Sequence, residues 1–155
     1  MQQSAVDGEL SLVESRIDGK VDAKGNLAYV EWTMAFQHAR RTNREARAIV
    51  QLPPGAVVLR LNLWIDGEMR EAAYAGRDQV RDAYEKVVSR RHDPVLVTTA
   101  GLNRVEVRNF PVPVKEPIRI RIGMTVSMQY VGPQRSRIVL PYFVTRNFAL
   151  LSTDE

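Results

Sequence analysis

The sequence has no cysteine and only two histidines, His38 and His92. Without cysteine the protein has no disulfide, no CxxC redox pair and no thiolate ligand for zinc or an iron–sulfur cluster. No stretch of about 18 apolar residues occurs, so the sequence predicts no membrane-spanning segment. Residues 1–8 also lack the basic segment and apolar stretch of a signal peptide. These absences leave a globular domain, either alone or as a part of a larger protein.

The size and composition of the chain are those of one globular domain. Its 155 residues are 45% apolar and 26% charged, which is enough apolar material for a core. No internal repeat or low-complexity linker divides the chain. We predict a single domain over residues 8–145, followed at residues 146–155 by a tail or by the start of a link to another domain.

Arginine supplies most of the positive charge. The chain has 22 basic and 18 acidic residues, a formal net charge of +4, and 18 of the basic residues are arginine. Because guanidinium groups pair with carboxylate, phosphate or sulfate, an anionic partner is one interpretation, and GC-rich codon usage is the other. Basic residues alternate with acidic ones instead of forming long runs, which argues against nucleic-acid binding.

Most of the chain alternates apolar and polar residues, which is the period of a half-buried strand. The pattern predicts strands at residues 9–18, 27–37, 45–52, 56–65, 68–75, 95–99, 104–110, 118–130 and 137–143. In the fourth of these we expect the apolar residues Val57, Leu59, Leu61, Leu63 and Ile65 to face the core. Asp66-Gly67 predicts a tight hairpin between the fourth and fifth strands. Trp32 falls on the apolar face of its strand, whereas Trp64 falls on the face of its strand that points away from Leu61 and Leu63.

Residues 77–91 have a different period. Apolar residues recur there at the spacing of an amphipathic helix, at Val80, Ala83, Tyr84, Val87 and Val88. Asp93-Pro94 then ends the helix, since the residue before proline avoids the α region. The predicted fold is therefore mainly β, an antiparallel β-sandwich of about nine strands with one α-helix.

No motif of an enzyme, a metal site or a nucleotide site is present, so we expect no catalysis, metal or cofactor. An enzyme would require carboxylates and His92 to converge in a cleft. His38, followed by Ala39, Arg40 and Arg41, is expected at the surface.

Candidate interaction residues fall in two groups. Arg90, Arg91, His92 and Asp93 follow the predicted helix, where they form either a solvated helix end or a corner that binds an anion or a partner. Trp64, Arg119 and Arg121 lie on outward strand faces, and the two arginines are about 7 Å apart by strand rise. Trp64 is interpreted as an exposed or second-layer contact.

Three short motifs occur in a familiar order. They are Glu45-Ala46 leading to Leu52-Pro53-Pro54-Gly55-Ala56, the hairpin Asp66-Gly67-Glu68, and Ala83-Tyr84-Glu85-Lys86 in the predicted helix. Together they resemble a vault protein inter-alpha-trypsin (VIT) domain over about residues 8–143. The resemblance implies a β-rich sandwich with one helix and no catalytic residues. Such domains usually precede a von Willebrand factor A domain, which holds the metal site, in secreted, membrane-anchored or vault-associated proteins.

The chain departs from the common pattern after the helix, at Arg90-Arg91-His92-Asp93-Pro94 and at Val105. These departures resemble a bacterial subgroup of large membrane proteins linked to exosortase-type sorting, which implies an extracytoplasmic part of a membrane-anchored protein. We therefore expect a non-catalytic interaction or structural module of a larger bacterial envelope or surface protein. Its partner would be another protein or a neighbouring domain of the same chain, with no nucleic acid and no insertion of this segment into a membrane. The alternative is an anion- or glycan-binding β-sandwich that uses the arginine-rich face and Trp64.

Overall fold

The computed structural model describes residues 7–39, 44–65, 67–72, 95–112 and 116–151. In these ranges the regular structure is entirely β. The twelve strands are β1 Asp7–Asp22, β2 Leu27–His38, β3 Arg44–Gln51, β4 Val57–Ile65, β5 Glu68–Ala72, β6 Val95–Thr99, β7 Arg104–Val112, β8 Ile118–Ser127, β9 Gln129–Gly132, β10 Arg135–Arg137, β11 Tyr142–Arg146 and β12 Phe148–Leu150. The mainly β prediction is confirmed. The predicted helix at 77–91 lies outside the described residues. The described part holds no helix that is long and apolar enough to cross a bilayer.

The strands form two larger sheets and one small one. The six-stranded sheet has the order β12-β1-β2-β8-β4-β5, the four-stranded sheet has the order β11-β3-β7-β6, and β9 and β10 form a two-stranded sheet. Neighbouring strands are antiparallel except β1 and β12, which are parallel. The central position of β8, between β2 and β4, explains its strong apolar alternation, because its inner face is covered along its whole length.

Both larger sheets contribute to one apolar core. The predicted inward residues of β2 and β3 are buried, as expected from their alternation: Val30, Trp32, Met34, Phe36, Ala46, Ala48 and Val50. Trp32 of the six-stranded sheet packs against Phe143 of the four-stranded sheet, with 4.7 Å between ring centroids. Phe148 contacts Phe36 and Phe143 with centroids 5.0 and 5.4 Å away. The aromatic rings therefore join strands that are distant in the sequence.

The turns agree with the sequence. Residues 66 and 67 link β4 to β5, with Ile65 opposite Glu68 and Gly67 at a φ of 79°, so the hairpin prediction is confirmed. The turn between β1 and β2 is held by Asp22, whose carboxylate accepts hydrogen bonds from the Lys24 and Gly25 backbone N–H groups, both at 3.1 Å.

A β-bulge makes part of the β4 prediction wrong. The pairing of β4 with β8 shifts register between Val58 and Arg60. As a result Val58 is buried, whereas Val57 and Leu59 are 54% and 60% exposed. An extra residue in one strand reverses the alternation on one side of the bulge, and the period-2 pattern does not reveal it. Beyond the bulge Leu61 and Leu63 are buried, as predicted, and the side chain of Ile65 is outside the described part.

Three other expectations are also wrong. The strand predicted at 118–130 is interrupted at Met128, whose backbone N–H and C=O bond to Asn26, and residues 129 and 130 belong to β9. The strand predicted at 137–143 is interrupted over residues 138–141, where Pro141 lacks a backbone donor. His38 is 3% exposed, because the inward alternation of β2 continues through Phe36 to the end of the strand. Separately, β12 pairs with β1 beyond residue 145, and its Phe148 is fully buried.

Candidate functional site

Three of the predicted interaction residues meet on the outer face of the six-stranded sheet. Trp64 on β4 is in register with Arg119 on β8, and Asn62, two residues earlier, is in register with Arg121. The guanidinium carbon of Arg121 lies 4.9 Å from the centroid of the Trp64 ring, within cation–π range. The other group, Arg90, Arg91, His92 and Asp93, is outside the described residues.

The arginines on this face are matched by carboxylates from β1 and β2. Arg119 donates from Nη2 and Nε to Oε2 of Glu14, at 2.7 and 3.0 Å. Arg121 Nη1 lies 3.5 Å from Oε2 of Glu31, and its Nε donates to Thr33 Oγ1 at 3.4 Å. Such partly exposed pairs contribute only up to about 1 kcal/mol each to stability. Their main effect is to fix the orientation of each guanidinium, so that the planar group of Arg121 stays over the indole.

Two further ion pairs extend the same pattern. Arg16 lies 2.8 Å from Asp18 on β1, and Arg60 lies 3.8 Å from Glu71 across β4 and β5. The positive charge that the sequence shows on the outward face of β8 is therefore balanced locally. An anion binding to this face would have to compete with carboxylates that are already in place.

Tyr29 extends the network to β2. Its hydroxyl donates to Glu31 Oε1 at 3.1 Å, and its ring lies against Gly123, where the absence of a side chain leaves room for it. Desolvation raises the pKa of Tyr29 above its ordinary value of 10.0, and the hydrogen bond and negative charge of Glu31 raise it further. Arg60 and Arg121 act in the opposite direction. The phenol therefore stays neutral and serves as a fixed hydrogen-bond donor.

Exposed apolar side chains lie beside this network on β4 and β5. The bulge leaves Val57 and Leu59 exposed, and Met69 on β5 is exposed and in register with Trp64. We call these four residues, Val57, Leu59, Trp64 and Met69, the β4–β5 surface. In the described part β4 is the only partner of β5, so this surface continues to a sheet edge.

The sequence reasoning missed three members of this surface. Met69 could have been found, because a two-residue hairpin that places Ile65 opposite Glu68 also places Trp64 opposite Met69. Val57 and Leu59 could not, because no local pattern marks the bulge.

The described residues offer little for metal or cofactor chemistry. Within these ranges no group of three or more histidine, aspartate or glutamate side chains is placed to hold a metal ion. What the outer face does provide is a fixed aromatic ring, an oriented guanidinium and exposed apolar side chains. Aromatic residues and arginine are enriched where proteins bind other proteins.

The sequence model of the vault protein inter-alpha-trypsin domain family matches residues 14–124. This range runs from β1 to β8 and includes Trp64, Met69, Arg119 and Arg121. No match is found among curated proteins. The family match covers well over half of the chain, which therefore belongs to the vault protein inter-alpha-trypsin domain family.

Proposed function

We propose that this chain is a non-catalytic interaction module of a larger protein, a β-sandwich that binds through its β4–β5 surface to another protein or to a neighbouring domain. Membership of the VIT domain family is the observation that carries the proposal, because it suggests a protein-interaction module in larger proteins. The surface itself is identified by its chemistry, with Trp64 and Arg121 stacked beside exposed Met69.

Two physical features favour binding at this surface. The stacked and ion-paired side chains are already held in one arrangement, so that less conformational entropy is lost when a partner binds. In the described part β5 is also an edge strand, and such a strand has unpaired backbone groups that accept a partner's strand. A partner could therefore cover the apolar side chains and pair with β5 at the same time.

A more specific setting is part of the proposal. We infer that the larger protein is a bacterial envelope or surface protein, with this domain in its extracytoplasmic, membrane-anchored part. The support is the resemblance of Arg90-Arg91-His92-Asp93-Pro94 to a bacterial subgroup of the family. These residues remain a second candidate contact. Sequencing the gene on both sides of this segment tests this setting, and a gene without a neighbouring domain or membrane segment would contradict it.

The anion- or glycan-binding alternative stays a prediction. Arg119 and Arg121, on which it depends, are both paired with carboxylates, and no contact favours an anion at that position.

Site-specific crosslinking tests the proposed surface. A benzophenone amino acid replaces Met69 in the full-length protein, which is expressed in its own cells. In the control the same amino acid replaces Arg104, an exposed residue on β7 of the four-stranded sheet. We expect one defined crosslink from position 69, either to a second protein or to another domain of the same chain, and none from position 104. Adding Trp64→Ala should weaken the crosslink. Equal labelling from both positions, or none from position 69, would rule out the β4–β5 surface.

A further inference from the structure

The β9–β10 hairpin is a second exposed element, and it lies outside the proposed β4–β5 surface. Its two strands, residues 129–132 and 135–137, pair with each other and, in the described part, with no other strand. Pro133 and Gln134 make the turn, with Gln134 at a φ of 64°. Both strands therefore have an outer edge with backbone groups that a strand of another chain can reach.

The hairpin is held in place at its base. Asn26, in the turn between β1 and β2, donates from its side-chain amide to the Met128 carbonyl at 2.7 Å and accepts a hydrogen bond from Ser136 Oγ at 2.9 Å. The Met128 N–H donates to the Asn26 carbonyl at 2.9 Å. These three bonds link the start of the hairpin and its returning strand to the same turn, so the hairpin is ordered before any partner binds.

Apolar side chains of the hairpin face solvent. Tyr130 and Val131 are 73% and 56% exposed. The fold does not use them, because neither is part of the apolar core. Both are therefore exposed apolar side chains on an ordered hairpin, where a partner can contact them.

The charged residues of the hairpin itself are of one sign. No acidic residue occurs between positions 117 and 153, a stretch that contains five arginines. Two of them, Arg119 and Arg121, are neutralised by carboxylates of β1 and β2. The hairpin arginines, Arg135 and Arg137, are exposed, and among the described residues no carboxylate pairs with either. Arg137 donates to the neutral amide of Gln129 at 2.6 Å.

We propose that the hairpin binds an extended acidic segment of a partner protein, which adds as a strand along β10. Arg135 and Arg137 occupy alternate positions, about 7 Å apart, which matches carboxylates at alternate positions of an added strand. The backbone edge of β10 binds the segment and the arginines select acidic residues, while Tyr130, in register with Ser136, offers an apolar contact on the face opposite to the arginines. Nucleic acid is less suited, because only two arginines are available for phosphates and a backbone edge contributes nothing to them.

Binding of labelled peptides to the intact chain tests this proposal. The probe is a short fluorescein-labelled peptide of alternating glutamate and valine, and its comparison peptide has glutamine at each glutamate. Fluorescence anisotropy should show binding of the acidic peptide and much weaker binding of the neutral one. Because exposed ion pairs are individually weak, Arg135→Gln with Arg137→Gln should weaken binding by about fivefold.

A matched double variant separates the hairpin from overall charge. Arg16→Gln with Arg60→Gln also removes two exposed guanidiniums, but both belong to the outer sheet face. We expect peptide affinity to stay within about twofold of the parent. Asn26→Gly keeps a residue that accepts a positive φ and removes the side-chain bonds to the hairpin, so it should weaken binding with every arginine present. Circular dichroism and thermal unfolding verify that each variant is folded.

Several outcomes would overturn the proposal. They are an equal loss of affinity in both double variants, equal binding of the glutamine peptide, no binding of the acidic peptide at millimolar concentration, or unchanged affinity in Asn26→Gly. Tighter binding of an oligothymidylate or of vesicles with anionic lipid, lost in the hairpin double variant, would assign the hairpin to another class of partner. None of these results bears on the crosslink expected from Met69.

Discussion

Replacing Gly123 by alanine tests how closely the side chains of the outer sheet face are packed. An added Cβ at this position would overlap the hydroxyl oxygen of Tyr29 and would lie 3.1 Å from its Cζ and 3.3 Å from the Cβ of Arg60. Gly123 is in the middle of β8 and does not have a positive φ, so the backbone itself accepts alanine. Most of the cost therefore comes from the contact with Tyr29, whose ring must move away, and the rest from the closer approach to Arg60.

The expected magnitude follows from three contributions. Movement of the ring removes the hydrogen bond from Tyr29 to Glu31, a loss of about 1 kcal/mol. Residual crowding between Cβ and the Arg60 side chain costs about 1 kcal/mol more, at the low end for overpacking. The lower conformational freedom of alanine in the unfolded chain offsets roughly 0.5 to 1 kcal/mol. We expect Gly123→Ala to lower the free energy of unfolding by about 1 kcal/mol.

Urea denaturation in two backgrounds measures this effect. Tryptophan fluorescence and circular dichroism follow unfolding of the parent, Gly123→Ala, Tyr29→Ala and the double variant. With Tyr29 truncated only the crowding against Arg60 remains, and the lower conformational freedom of alanine in the unfolded chain offsets most of it, so the same glycine substitution should become nearly neutral. A cost that is equal in both backgrounds would show that Tyr29 is not the obstacle. No cost in the parent would refute the close approach of ring and strand.

Two further predictions concern the aromatic residues. Phe148→Ala should lower the free energy of unfolding by about 3 kcal/mol or more in urea denaturation, because its ring is fully buried, whereas a peripheral β12 would give under about 1 kcal/mol. In an alkaline spectrophotometric titration Tyr29 should ionise above pH 10.0, and Glu31→Gln should lower its pKa by removing a negative charge that raises it. Because the folded-state pKa of Tyr29 is raised, the neutral phenol contributes to the free energy of unfolding. This contribution is fully present below pH 10.0 and is lost as the pH rises through the folded-state pKa. An unchanged Tyr29 pKa in Glu31→Gln would contradict the assigned cause.

The sequence predicts the strands that have one continuous buried face. In β2 and β3 the alternation is unbroken, and their inward residues are buried as expected. The prediction fails where pairing, not alternation, decides the face, as at the β4 bulge after Val58. It also fails at Met128, whose backbone bonds to a turn about 100 residues earlier in the chain. Local patterns carry no information on such long-range partners.

The candidate site divides in the same way. The outward positions of Trp64, Arg119 and Arg121 follow from period 2 alone, and the structure brings these residues together. Their carboxylate partners do not follow, because Arg119 and Glu14 are 105 residues apart and meet only through the order of strands in the sheet. An apparently basic strand face is therefore a balanced one, which weakens the anion-binding alternative.

The bulge gives one strand two separate roles. Beyond it, Leu61 and Leu63 fill the core, where each change in side-chain volume lowers stability. Before it, Val58 takes the core position, so that Val57 and Leu59 contribute apolar area to the outer surface at little cost to the core. Substitutions at Val57 and Leu59 should then alter partner binding and leave the free energy of unfolding nearly unchanged. With binding and stability carried by different residues, an interaction module can adapt to different partners while it keeps its fold.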